Sequence, residues 1–110
     1  MKQGDIYFMS LDPAFGREQQ GTRPVLIISN NPFNGITRLP IILPITKGGN
    51  FARREGFAVS LEASGLKTTG IIRCDQPRTA DIAIRRAKWI ERVPQDILDD
   101  VLARVQAIFT

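Results

Sequence analysis

Up to Pro94, apolar residues in this chain come only in short runs, and glycine, proline, asparagine or aspartate interrupts them. That punctuation leaves little room for long helices and asks for many short strands joined by turns. Ile6-Tyr7-Phe8-Met9 reads as a first strand, closed by Asp12-Pro13 and Phe15-Gly16. Pro24 to Ser29 reads as a second, apolar almost throughout and so expected to be buried on both faces; Asn30-Asn31-Pro32 breaks it. Leu39 to Ile45 is a third, whose Pro40 and Pro44 cannot donate to a ladder and belong at edges or bulges. Phe57 to Leu61 alternates as a fourth, Thr69 to Asp75 is a fifth, and Lys88 to Arg92 a short sixth. Thr79 to Arg86 suits a short helical turn. After Pro94 the period changes: Ile97, Leu98, Val101, Leu102, Val105, Ile108 and Phe109 fall on one helical stripe. Pro94 suits the first helical position, and Asp96, Asp99 and Asp100 suit the positive end of the helix dipole. The pattern predicts a mainly β chain with a C-terminal helix, its short strands forming a small barrel or strongly bent sheet.

A chain of 110 residues makes one domain, residues 1–110. No apolar run approaches a bilayer span, and no secretory leader pattern opens the sequence, so no membrane association is expected. A single cysteine cannot form an internal disulfide, which fits a reducing, cytoplasmic setting. The net charge of +4 is unevenly placed: residues 1–90 hold 13 Lys/Arg against 7 Asp/Glu, and residues 91–110 hold 2 against 4. The basic part coincides with the strands and loops, an arrangement that suits a polyanion such as nucleic acid.

One segment carries chemistry more plainly than the rest. In Ile71-Ile72-Arg73-Cys74-Asp75, strand alternation would turn Ile72 and Cys74 to the core and Ile71, Arg73 and Asp75 the other way. The chain contains no histidine. Acid–base work would therefore fall to carboxylates, arginines and hydroxyls, and Arg73 with Asp75 is the best-placed pair. The same residues also suit a surface ion pair of little energetic weight.

Taken in order, several segments resemble the PemK/Kid/MazF family of toxin endoribonucleases, nearest the plasmid-type Kid/PemK branch. They are Gly4-Asp5-Ile6-Tyr7, Leu11-Asp12-Pro13, Gly16 to Leu26, Pro44-Ile45-Thr46, Gly48 to Arg53, Gly56-Phe57, Thr68-Thr69-Gly70, Arg73 to Thr79, and Arg92-Val93-Pro94. The resemblance spans essentially the whole chain. It implies an SH3-like barrel with a C-terminal helix and a homodimer. It implies cleavage of single-stranded RNA with no metal and no cofactor. It also implies a cognate antitoxin whose extended segment covers the RNA site, with DNA contacted only through the toxin–antitoxin complex. The family commonly has histidine in a Gly-His-Glu-Gln segment where this chain has Arg17. Arg17 keeps a charge suited to phosphate but no proton that titrates near neutrality.

Metal-free RNA cleavage uses the ribose 2′-hydroxyl as nucleophile. The resemblance assigns Asp75 as general base and Arg73 as general acid. Carboxylates ionise far below neutrality and arginine far above it, so such a pair is poorly matched to proton transfer at pH 7. Alignment and electrostatic stabilisation should carry more of the rate. Arg17, Glu18, Arg23, Thr46, Lys47, Phe57 and Thr69 are the candidate RNA contacts. Arg23 and Thr46 suit contact with phosphate or activation of a hydroxyl, and Arg23 also suits a solvated strand start; Glu18 suits a base edge, ordering of Arg23, or a solvated loop. Phe57 suits base stacking or, given its alternation with Val59 and Leu61, the core. Lys47 and Glu55 stand where close relatives can carry smaller residues, and so bear on base selection. Gly48-Gly49-Asn50 with Arg53 and Arg54 reads as a mobile basic loop over the site. Cys74 reads as an inert buried thiol, and Trp89 as a core or interface anchor. Two other readings compete with the nuclease: a non-catalytic RNA-binding module, and a protein-interaction module whose ligand is a peptide.

Overall fold

The computed structural model describes residues 1–48 and 55–110. Of the basic loop expected from Gly48 to Arg54, residues 49–54 lie outside the described residues. Among the described residues, seven strands and two helices follow in chain order: β1 Asp5–Ser10, β2 Thr22–Ile27, α1 Asn31–Thr37, β3 Ile41–Thr46, β4 Ala58–Ser60, β5 Ile71–Arg73, β6 Arg78–Thr79, β7 Lys88–Arg92 and α2 Gln95–Gln106. The strands run antiparallel in the order β4-β5-β3-β2-β1-β7, with β6 also paired to β3. The sheet is of the SH3-like barrel type but, among the described residues, is not closed, since β4 and β7 end the strand order without pairing to each other.

β2 and β3 are central, and β2 is buried on both faces as its composition predicts. Leu26 and Ile28 join a core with Ile6, Leu43, Ile45, Ile72 and Cys74, and α2 covers it with Leu98 and Val101. Val25 and Ile27 point into a second core with Met9, Leu11, Ile42, Ala80 and Ile82. The expected turn after Thr79 closes that second core, with Arg85 N donating to Asp81 O at 3.1 Å and Asp81 Oδ1 accepting from Ile84 N at 3.0 Å.

Three expectations need correction. The Asn30-Asn31-Pro32 break is the start of α1: Asn30 Oδ1 caps Phe33 N at 2.9 Å, and Pro32 sits in the first turn, where a missing N–H costs nothing. Asn34 is buried and bonded to Ser29, whose Oγ also accepts from Ile41 N at 2.8 Å, so a polar knot ties β2, α1 and β3. α2 begins one residue later than expected, with Pro94 at the N-cap, and ends at Gln106. Ile108 and Phe109, assigned to its apolar stripe, are 45% and 76% exposed. Of the two readings of Trp89, core or interface anchor, only the core one fails: on edge strand β7 it is 58% exposed.

Candidate active site

The fifth strand is shorter than its sequence pattern, and the reason creates the site. β5 pairs with β3 through Ile72–Ile45, while β6 pairs with the same edge through Arg78–Ile42. Between those pairs β3 contributes two residues, Leu43 and Pro44, whereas the neighbouring chain contributes five, Arg73 to Pro77. The excess is thrown out as a bulge. Pro44, which has no N–H to offer a ladder, lies opposite it. Asp75 therefore sits on a turn rather than on a strand face, and Ile71, expected to face outward beside it, is fully buried.

The bulge folds Asp75 back onto Arg73. Arg73 Nε donates to Asp75 Oδ1 at 2.8 Å and Nη2 to Oδ2 at 2.7 Å, a two-pronged pair with side chains 11% and 21% exposed. The hydrogen bond to Asp75 outweighs partial burial and holds the Arg73 guanidinium above its ordinary value. Arg73 therefore stays charged at any working pH. Its Nη1 has no hydrogen-bond partner among the described residues. Behind the pair, burial pushes the Cys74 thiol up to about 12.

The pair forms one wall of a cleft of about 610 Å³, shared with Arg17, Glu18, Gln19, Pro44, Gln76 and Arg78. Arg17 and Glu18 come from the loop between β1 and β2. Glu18 Oε1 accepts from Phe15 N at 2.7 Å, so this carboxylate shapes its own loop rather than ordering Arg23. Gln76 reaches the same loop: its Oε1 accepts from Gln19 N at 2.9 Å and its Nε2 donates to Arg17 O at 3.3 Å. Arg78 and Arg85 hold the loop's stem, donating to Leu11 O at 3.1 Å and to Ser10 O and Asp12 O at 2.9 and 2.8 Å.

Arg23, Thr46, Lys47 and Thr69 are not in that cleft. They line a second one, also about 610 Å³, with Lys67, Thr68 and Ile90. Arg23 Nη1 donates to Thr46 Oγ1 at 3.1 Å and its Nε to Gln20 O at 2.6 Å. Thr46 is buried, while Lys47 and Thr69 are exposed. Among the described residues, three cations and several hydroxyls line this cleft, and the nearest carboxylate, Glu91, is bonded behind them. Glu91 holds its far rim, accepting from Lys67 N at 3.1 Å and from Thr68 N and Oγ1 at 2.7 Å each. Burial alone would raise the Glu91 carboxyl, but these hydrogen bonds and the Lys67 charge hold it below the ordinary carboxylate value. Phe57 is half-buried and lines neither cleft, so it joins neither the core nor the grouped RNA candidates.

Sequence reasoning missed Gln76, Arg78, Arg85 and Glu91. Gln76 and Arg78 lie inside the Arg73 to Thr79 segment, but nothing local says that their side chains reach residues 59 and 67 positions away.

The open SH3-like sheet with its C-terminal helix is the architecture of MazF toxins. MazF from Deinococcus radiodurans matches with a TM-score of 0.87 and 29% identity, covering 99% of this chain and 96% of that one. A MazE–MazF complex from the same organism matches at 0.81, also 29% identical, covering 99% and 95%. The family model described as PemK-like, MazF-like toxin of type II toxin–antitoxin system matches residues 2–109, and the chain belongs to this family. Endoribonuclease PemK of Escherichia coli is 56% identical over 110 residues, all of this chain and 83% of that protein. Endoribonuclease toxin ChpB of E. coli is 39% identical over 108 residues, 97% of this chain and 92% of that protein.

Proposed function

We propose that this chain is a toxin endoribonuclease that cuts single-stranded RNA without metal, with Arg73 and Asp75 at the reacting centre. Its relatives are named endoribonucleases. The observation that carries the site assignment is the side-on pairing of Arg73 with Asp75. It uses Nε and Nη2 and leaves Nη1 for a phosphate oxygen. In the reaction, the 2′-oxygen bonds to phosphorus as its proton leaves toward Asp75. The phosphorus–O5′ bond breaks and O5′ takes up a proton from solvent water, giving a 2′,3′-cyclic phosphate and a 5′-hydroxyl. Because Arg73 holds its proton so firmly, its main contribution is to stabilise charge on the phosphorane rather than to protonate the leaving oxygen. The second cleft, with Arg23, Thr46, Lys47 and Thr69, binds flanking phosphates. Cutting messenger RNA in this way stops translation and growth.

The reading includes a homodimer and a cognate antitoxin. Apolar surface left open at Ile84, Trp89 and Phe109 supports the dimer, and the solved MazE–MazF complexes among the structural neighbours support the antitoxin. One observation favours the competing reading of a non-catalytic RNA binder: both Asp75 oxygens already accept from Arg73.

Cleavage of a long single-stranded RNA in excess EDTA tests the proposal, alongside the same sequence carrying 2′-deoxyribose at the mapped cut. Discrete fragments that vanish at the deoxy position support 2′-hydroxyl attack. Bound but intact RNA transfers the chain to the binder reading.

A further inference from the structure

The loop that carries Arg17 has no regular secondary structure, and its internal hydrogen bonds do not fix it relative to the bulge. Glu18 N donates to Phe15 O at 3.2 Å, and Phe15 N to Glu18 Oε1 at 2.7 Å, both within the loop. Leu11 N to Gly21 O at 2.9 Å, and Gly21 N to Asp12 Oδ1 at 3.1 Å, only close its base. The connection to the bulge is a side chain. The Gln76 amide accepts from Gln19 N and donates to Arg17 O, and so supplies one rung of a β-ladder where no strand is present. Gln76 N in turn donates to Arg73 O at 3.3 Å. A short path of hydrogen bonds thus runs from the Arg17 backbone through Gln76 to the backbone of Arg73.

We propose that Gln76 is a positioning residue, whose side-chain amide holds the Arg17–Gln19 backbone against the bulge so that Arg17 meets the same phosphate as Arg73. The proposal rests on the nuclease reading of this cleft. Arg17 is exposed, and a long free side chain loses much rotamer entropy when it is fixed on a ligand. Anchoring its backbone in advance removes part of that loss and brings two guanidinium groups to one anion. The chain has no histidine to take a proton-transfer role at position 17. What residue 17 can supply is charge, and the value of a charge depends on where it is held.

The test has two arms. In the first, amide exchange at Gln19 is followed in wild type and Gln76→Ala. Loss of the rung should speed exchange of Gln19 roughly fivefold or more, with Ile27 and Leu43 unchanged. In the second, RNA cleavage is measured in a cycle of wild type, Q76A, R17A and the double variant. Q76A should lower kcat about tenfold with a smaller change in KM. Its effect should shrink to under about twofold once Arg17 is gone, because coupled residues are non-additive. Unchanged exchange at Gln19 overturns the latch. An equal loss in both backgrounds overturns its action through Arg17. Wild-type protein that leaves RNA intact refutes the nuclease reading and the catalytic half of this proposal with it, and the exchange arm then decides the latch alone.

Discussion

Replacing Asp75 separates binding from chemistry, and the structure sets the size of each effect. In Asp75→Ala the two charge-assisted hydrogen bonds of 2.8 and 2.7 Å disappear. The Arg73 side chain, 11% exposed, loses its partner but can still turn toward water in the cleft. Hydrogen bonds to charged groups contribute about 1.5–3 kcal/mol when buried. Partial exposure and the short local loop reduce that, so a loss of about 2 kcal/mol is expected. At about 4 °C per kcal/mol for a domain of this size, Tm should fall by about 8 °C. RNA binding should move the other way. The net charge rises from +4 to +5, and removing one negative charge near a phosphate is worth about 1 kcal/mol in water-like surroundings. That is about fivefold tighter binding at low salt, fading as salt screens it. Cleavage should fall by about 10–10²-fold if Asp75 accepts the proton, less than the about 10²–10⁴-fold of a well-matched base. Asp75→Asn keeps the shape and one hydrogen bond; it should recover about half of the lost stability and none of the activity. Binding by fluorescence anisotropy, cleavage under single-turnover conditions and a thermal melt on the same preparations measure all three. Cleavage by Asp75→Ala within about threefold of wild type would refute the assignment, as would loss of RNA binding in step with activity.

Other outcomes follow from the same geometry. Gly70 has φ of +110°, and a Cβ there would lie 2.5 Å from Thr46 O, whereas Gly65, at +79°, has open space around it. Urea unfolding should show Gly65→Ala costing about 1–2 kcal/mol, from backbone strain alone, and Gly70→Ala clearly more; equal losses would remove the role given to the close approach. With the Glu91 carboxyl held below its ordinary value, its stabilisation is present above the unfolded value of about 4.3 and is lost as pH falls through the lowered folded value. The stability difference between wild type and Glu91→Gln should thus be flat near neutrality and shrink below about pH 4, and a difference that grows on acidification would contradict this. The rate of RNA cleavage should climb with pH as the 2′-hydroxyl ionises; a bell centred near pH 6 would demand a titrating group that a chain without histidine lacks. Cys74, at 0% exposure and about 12, should react with iodoacetamide at pH 8 on the order of 10³-fold more slowly in the native protein than in urea.

Short apolar runs punctuated by breakers, then a stripe at helical spacing, determined from sequence that this chain would be strands followed by a helix. That pattern records which residues leave water, and burying apolar surface is the dominant force that favours folding. The two-sided burial of β2, the inward thiol of Cys74 and the placement of Lys88 to Arg92 were legible for the same reason. Arg73 and Asp75 were legible as a pair because their spacing is local. What alternation could not supply was the bulge. Its existence depends on β3 pairing with β5 at Ile45 and with β6 at Ile42 in registers that leave five residues opposite two, a mismatch between segments distant in sequence. The division of the candidate contacts into two clefts, with Arg17 and Glu18 beside Arg73 and with Arg23 and Thr46 beside Thr69, has the same origin. So do the reaches of Gln76 and Arg78 across the chain to the β1–β2 loop. α1 went unread because a cap and a proline mark a helix start and a strand break with the same letters. Local pattern decided most of which residues are inside, Ile71, Ile108 and Phe109 excepted; only the long-range register of the sheet decided which polar side chains meet.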